Sequence, residues 1–342
     1  MPFTCQNVSA LELTLRPLLP MLADPEITEL CVNRPGQVFL ETRCGWRCES
    51  VAAADYGFCM RLAKLIANST HQRVDETSPL LSAGLPGGER VQIAIPPATT
   101  DGTVAITIRR PTDRVWSVAE LAALGTLTEV RRVGSLLEEA DNKLLELLQA
   151  NRLQEFMRLA VRSRKNILVS GPAGSGKTTW TKALMREIPA DERLVTIEDT
   201  PELVLDGHPN HVRLFYSKDD QGLARVTPKQ LLESCLRMKP DRVLLAELRA
   251  DEAFDYLRNV NSGHPGSITS VHATSAQLAF EQLVLLVQQS TGGRGLSRQD
   301  IKSLLYAVVD VVIQCGIRQY RRFISEIWFE PMNKRDRLIA LA

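Results

Sequence analysis

The sequence has no excess of charge of either sign, no long apolar run and few cysteines. Its 342 residues include 41 Lys plus Arg against 40 Asp plus Glu. That balance gives no whole-chain field for holding a polyanion such as DNA or RNA. No run reaches the roughly 18 uninterrupted apolar residues of a membrane-spanning helix, and the best, around Val308 to Ile313, is cut by Asp310. The chain starts without a basic cluster, carries Glu12 and Arg16 within its apolar stretch and is interrupted by Pro17 and Pro20, which makes a poor signal peptide. A soluble chain is the expectation. Seven thinly spread cysteines, an odd number, fit reduced cytosolic thiols better than a disulfide framework. Cys44 and Cys48 form CGWRC, but all five histidines lie from His71 onward, so no further ligand stands close enough to complete a zinc site. Internal repeats and low-complexity tracts are also absent.

What is present suits an ordinary globular chain of two domains, with 44% apolar and 24% charged residues. Residues 26–42 read as two short strands around an Asn-Arg-Pro-Gly turn. A helix follows, with Phe58, Leu62, Leu65 and Ile66 at helical spacing, and then strand-like runs in LPGGERVQIAIPP and TVAITIRRP. Residues 1–110 are therefore expected to form a smaller α+β domain. Residues 111–145 read as a linker with short helices, ending near a helix that begins around Leu144. From Asn166 onward the runs NILVSG, RLVTIED, RVLLAEL, SITSVHA and VVDVVIQC alternate with segments of helical length. That pattern predicts an α/β domain over 146–342 with a mostly parallel sheet, closed by RRFISEIWFEP as an antiparallel strand.

Residues 171–178, GPAGSGKT, match the phosphate-binding loop G-x-x-x-x-G-K-[ST] in full, with a strand before and a helix after. The nucleotide-binding stretch is Gly171, Pro172, Ala173, Gly174, Ser175, Gly176, Lys177, Thr178 and Thr179. Glycines let successive backbone N–H groups turn toward phosphate oxygens at a helix N-terminus. Lys177 is expected to reach the β- and γ-phosphates of ATP, and the Thr178 hydroxyl to ligate Mg²⁺. Thr179 has a choice between an adjacent phosphate and capping the helix, and Trp180 is a packing residue.

A carboxylate is needed beside the γ-phosphate. Glu247, at the end of RVLLAEL, is placed to polarise water or to hold Mg²⁺, directly or through water. Glu198 and Asp199 end another strand and are further candidates, Glu198 ranked first. His272 ends a strand on the nucleotide side, where it could bond a γ-phosphate, whereas His264 is as well explained by a core polar contact. Their eight-residue separation, with no cysteine joining them, disfavours zinc. Arg109 and Arg110 leave the first domain where closure could carry them to a nucleotide as arginine fingers. Arg249 is a second candidate and Arg90 a weaker one.

In this order, ITELCVNRPG, LPGGERVQIAIPP, VAITIRRP, GPAGSGKTT, RLVTIEDTPEL, HPNHVRLF, SCLRMKPDRVLLAELR and SGHPGSITSVHA give a chain that resembles, over nearly its whole length, the VirB11-type traffic ATPases of bacterial type IV secretion systems, within the secretion-ATPase superfamily. The resemblance implies an N-terminal docking or sensing domain joined to a C-terminal RecA-like P-loop domain, and assembly as a homohexameric ring. It maps Lys177 and Thr178 onto nucleotide binding, Glu247 onto the Walker B acid, Glu198 onto the acidic-box acid and His272 onto a nucleotide-sensing histidine. Arg109 or Arg110 maps onto an N-domain arginine that approaches the nucleotide. It also implies a cytoplasmic ring, peripheral on the inner membrane, that works with partner ATPases and inner-membrane components in substrate transfer or pilus assembly. The 111–145 segment is similar to the longer linker of one branch, in which the N-terminal domain packs over a neighbouring subunit. Ala250 stands where the family commonly has glycine, and Pro265 interrupts the histidine box. A RecA-like helicase or packaging ATPase is the competing reading, disfavoured by the absence of a basic, aromatic-interleaved platform. A docking ring that binds nucleotide without turnover is a third.

Overall fold

The computed structural model describes residues 9–111, 115–130, 137–217, 222–249, 252–261 and 263–341. Ala250 and parts of the linker lie outside the described residues.

The first domain is a six-stranded antiparallel sheet with helices packed on one face. Helices α1 (Ala10–Leu15) and α2 (Leu19–Ala23) precede β1 (Glu29–Arg34), β2 (Gln37–Thr42) and β3 (Gly45–Ser50). Helix α3 (Tyr56–Ser69) leads to β4 (Leu80–Gly84), β5 (Arg90–Ala94) and β6 (Ala105–Arg109), in the spatial order β3-β2-β1-β6-β5-β4. Asp55 starts α3 by accepting a hydrogen bond from the Phe58 N–H at 2.6 Å. Phe58, Leu62 and Ile66 recur one turn apart and bury against Leu30, Leu40, Ile93 and Ile106 of the sheet. Strand β3 is an addition to the sequence reading: the CGWRC stretch holds few apolar residues and forms an exposed edge, with Cys44 and Cys48 as free thiols.

In the connecting segment, helix α4 (Val118–Ala123) is started by a reciprocal Ser117–Glu120 cap and buries none of its residues. The helix expected from about Leu144 begins earlier, as α5 (Glu139–Gln149), and packs with α6 (Leu153–Arg162) through Leu144, Leu147, Phe156 and Met157.

The second domain contains β7 (Ile167–Ser170), α7 (Lys177–Met185), β8 (Leu194–Glu198), β9 (His211–Phe215), α8 (Pro228–Cys235), β10 (Arg242–Leu245), α9 (Glu252–Asn261), β11 (Ile268–Val271), α10 (Ala276–Gln289), α11 (Arg298–Val308), β12 (Val311–Arg318), β13 (Arg321–Trp328) and α12 (Pro331–Leu341). Strands β10-β8-β9 form one parallel ladder; β11-β7-β12 form another, edged by antiparallel β13. Two serines join the ladders: Ser267 Oγ donates to Val243 O and Ser270 Oγ to Ala246 O, each at 2.9 Å. The chain thus has the expected two-domain α/β architecture. One boundary differs, because Val308 ends α11 and the strand expected from it begins at Val311.

The first-domain sheet meets the second domain at Arg193, which is wholly buried. Its guanidinium donates to Met238 O and to the Asn33 side-chain oxygen, each at 2.8 Å, and to the Asn210 side-chain oxygen at 2.5 Å. Asn33 belongs to β1, so a single cation ties the N-terminal sheet to the start of β8.

Candidate nucleotide-binding site

Strand β7 delivers the chain to the loop at the C-terminal end of a parallel sheet, where α/β folds place their ligands. Gly174 and Gly176 have φ of +74° and +96°, left-handed values that let the loop curl before α7 without side-chain clash. Gly171 answers a different need: a β-carbon there would stand 2.7 Å from Cys315 O on β12. Ser175 Oγ donates to Pro172 O at 2.8 Å and pins the turn. The α7 N-terminus and its unpaired N–H groups then face an open cleft, an arrangement suited to phosphate.

That cleft, of ≈ 210 Å³, is lined by Lys177, Thr178, Asp199, Glu247, Arg249 and His272 among others. Lys177 Nζ donates to Gly171 O at 2.9 Å and Pro172 O at 3.2 Å, and stands 3.1 Å from His272 Nδ1. Burial pulls the Lys177 pKa below its ordinary value, while the Glu247 charge pulls it back up. An ammonium only donates, so Nδ1 is the accepting atom of that pair. Nε2 lies 2.7 Å from Glu247 Oε1. The other Glu247 oxygen accepts from Arg249 Nε at 2.7 Å, and Arg249 Nη1 reaches Asp199 Oδ2 at 3.1 Å. The hydrogen bond to Glu247 raises the Arg249 pKa further. Lysine, histidine, glutamate, arginine and aspartate form one continuous chain of contacts along the cleft.

The remaining sequence candidates stand elsewhere. Glu198 is fully buried and does not line the cleft. Its two oxygens accept from Thr196 Oγ1, the Glu202 and Leu203 N–H groups and Arg213 Nε and Nη2, at 2.7–3.0 Å. The geometry thus reverses the sequence ranking, with Asp199 facing the cleft and Glu198 folding the turn beneath it. His264 also lies off the cleft, with its ring against the Pro240 backbone and its pKa lowered by burial. Trp180 lines an apolar groove with Met157, Leu184 and Ile324, as a packing residue should.

Arg109 and Arg110 stand on the first domain, away from this cleft. Arg110 donates to Asp24 O. Arg109 pairs across strands with Arg90, and its Nε lies 3.6 Å from Glu29 Oε1. Arg90 and Arg109, with Glu29, Arg237 and Lys239, line a second cleft of ≈ 500 Å³ between the first sheet and the turn after α8. A residue that the motifs did not mark is Arg322 of β13, whose Nε donates to Gly174 O at 2.8 Å. Only strand pairing brings it to the loop, so no local sequence signal could have found it.

A family model described as "Type II/IV secretion system protein" matches residues 12–322. VirB11 of the type IV secretion system of Bartonella henselae is 45% identical over 97% of this chain and 96% of its own. VirB11 of Brucella suis is 46% identical over 96% of this chain and 93% of its own. The crystal structure of the VirB11 ATPase of Brucella suis, solved in complex with sulphate, superposes with a TM-score of 0.90 over 96% of this chain and 100% of that one. With identity of this order maintained across both domains, the chain belongs to the type II/IV secretion system protein family, among its VirB11-type ATPases.

Proposed function

We propose that this chain hydrolyses ATP as the subunit of a homohexameric ring that drives type IV secretion, with its nucleotide held at the Lys177 cleft. The observation that carries the assignment of the site is the chain of contacts from Lys177 through His272, Glu247 and Arg249 to Asp199.

The loop N–H groups and Lys177 bind and orient the β- and γ-phosphates. Glu247 is the base that positions the attacking water, and Arg249 and His272 hold its carboxylate from two sides. Lys177, now directed to backbone carbonyls and to His272, exchanges these partners for phosphate oxygens, so His272 is the group that registers an occupied γ-position. Thr178 and Glu247 offer oxygen donors in one cleft, and no ready-made cluster of three or more metal-ligating side chains exists among the described residues. That donor set fits Mg²⁺ completed by substrate phosphates. The ion would neutralise charge on the transferring phosphoryl group.

In this reading residues 1–110 are the docking domain, 111–145 the linker and 146–342 the motor domain. Arg109, exposed beside Arg90, approaches a neighbour's nucleotide across the ring, while Arg110 holds its own domain together. The ring is cytoplasmic and peripheral on the inner membrane, where other secretion ATPases and inner-membrane components are its partners; no helix among the described residues is long and apolar enough to cross a membrane. Near-neutral charge speaks against direct nucleic-acid binding. Phosphate release at saturating ATP and magnesium tests the assignment. Lys177→Ala should abolish turnover, and near-normal turnover by a folded variant would overturn it.

A further inference from the structure

The cleft beside Lys177, at ≈ 210 Å³, is smaller than the roughly 300–1,000 Å³ of sites that enclose a whole small ligand. It has room for the phosphates, and the nucleoside must lie outside it. Sheet order shows on which side. Glu247 follows β10, which lies next to β11 on one side of β7, while β12 and β13 lie on the other. With strands about 4.8 Å apart, Glu247 and Arg322 stand on opposite flanks of the loop, each about two strand spacings from β7. A triphosphate with its γ end at Glu247 and His272 therefore points its nucleoside toward the β12–β13 hairpin.

Arg322 is what the nucleoside meets there. Its Nε bonds Gly174 O at 2.8 Å, and its Cδ packs so closely on Gly176 that a β-carbon there would lie 3.2 Å away. The contact holds the guanidinium plane at the loop's edge. Its terminal nitrogens have no protein partner among the described residues, and the side chain is exposed. A planar cation fixed in this way presents a face on which an aromatic base stacks.

We propose that Arg322 is a nucleotide-binding residue that seats the base and ribose of the nucleotide at the mouth of the cleft. This rests on the ATP assignment above. Stacking uses the face of the base and not its hydrogen-bonding edge, so ATP and GTP should bind with similar affinity.

Calorimetry with ATP, GTP and inorganic tripolyphosphate in the presence of magnesium tests the inference on the full chain. Arg322→Ala should weaken ATP and GTP by about 10-fold, the scale of a cation against an aromatic face, and leave tripolyphosphate within about 2-fold. Arg322→Lys keeps the charge without the plane and should fall between alanine and wild type. Equal loss of ATP and tripolyphosphate in Arg322→Ala would make the residue a phosphate contact or loop brace and overturn the proposal, as would unchanged ATP affinity. Wild-type protein that binds neither ATP nor tripolyphosphate would overturn the nucleotide site itself, a result distinct from failure at Arg322. In turnover, Arg322→Ala should raise KM and leave kcat near wild type.

Discussion

Replacing Glu29 with glutamine should strengthen the fold at alkaline pH and change it much less at acidic pH. Desolvation on β1 pushes the Glu29 carboxyl up from 4.5 to about 7, although the Arg109 charge opposes the shift. The unfolded chain therefore loses this proton first as pH rises. Stability from this group is complete below the lower value, declines through the window from 4.5 to about 7, and is lost above it. Integrating the two titrations gives a penalty of about 1 kcal/mol at about pH 5 and about 3 kcal/mol at about pH 8. Glutamine preserves the shape and removes the titration. Between those conditions the stability difference from wild type should move by about 2 kcal/mol in the variant's favour. Comparing two pH values cancels any pH-independent cost of the amide. Urea unfolding followed by tryptophan fluorescence supplies both numbers, and a difference constant to within about 0.5 kcal/mol would refute the burial argument.

Glu247→Gln should retain fluorescent-ATP binding and lose phosphate release. Glu198→Ala should instead cost about 3–5 kcal/mol of stability, because it leaves the Arg213 charge without its partner; lost phosphate release in a Glu198→Gln variant of wild-type urea midpoint would reverse the two roles. In intact rings, established by light scattering, Arg109→Ala should slow turnover by about 10-fold or more with ATP binding preserved. Arg110→Ala should spare turnover, and equal loss in both variants would remove the distinction drawn from the Arg110 bond to Asp24. Arg193→Met should lower stability by about 2–5 kcal/mol, since the Asn33 side-chain oxygen and Met238 O would each be left as a buried acceptor without its donor; an unchanged urea midpoint would count against the interdomain clasp.

Local sequence carried the loop, because the strand before it, the Gly171 to Thr178 spacing and the helix after it are contiguous in the chain. It also carried Glu247, since a carboxylate after a short apolar run in a parallel sheet emerges at the ligand end. Glu198 and Asp199 were less legible. Neighbouring residues on a strand face opposite ways, and which one met the cleft depended on Arg213, fifteen positions away on β9. Arg322 was beyond reach because a hairpin register placed it. Strand β3 was obscured by exposure on both faces, which removes the alternation that marks a half-buried strand.

Strand β8 gives these separate observations a common physical basis. Arg193 immediately precedes it and is clasped by Asn33 of the first domain; Asp199 immediately follows it and holds Arg249, which holds Glu247. Between them lie five buried residues paired on both sides by β10 and β9, a segment about 17 Å long at about 3.3 Å per residue. A strand bonded on both edges does not stretch, so Arg193 at one end and Asp199 at the other are held at a fixed separation. Glu198 secures the far end, because its carboxylate fastens the turn at residues 202 and 203 to β8 and β9. The acid that sequence ranked first is thus placed to keep the second acid in line with the cleft.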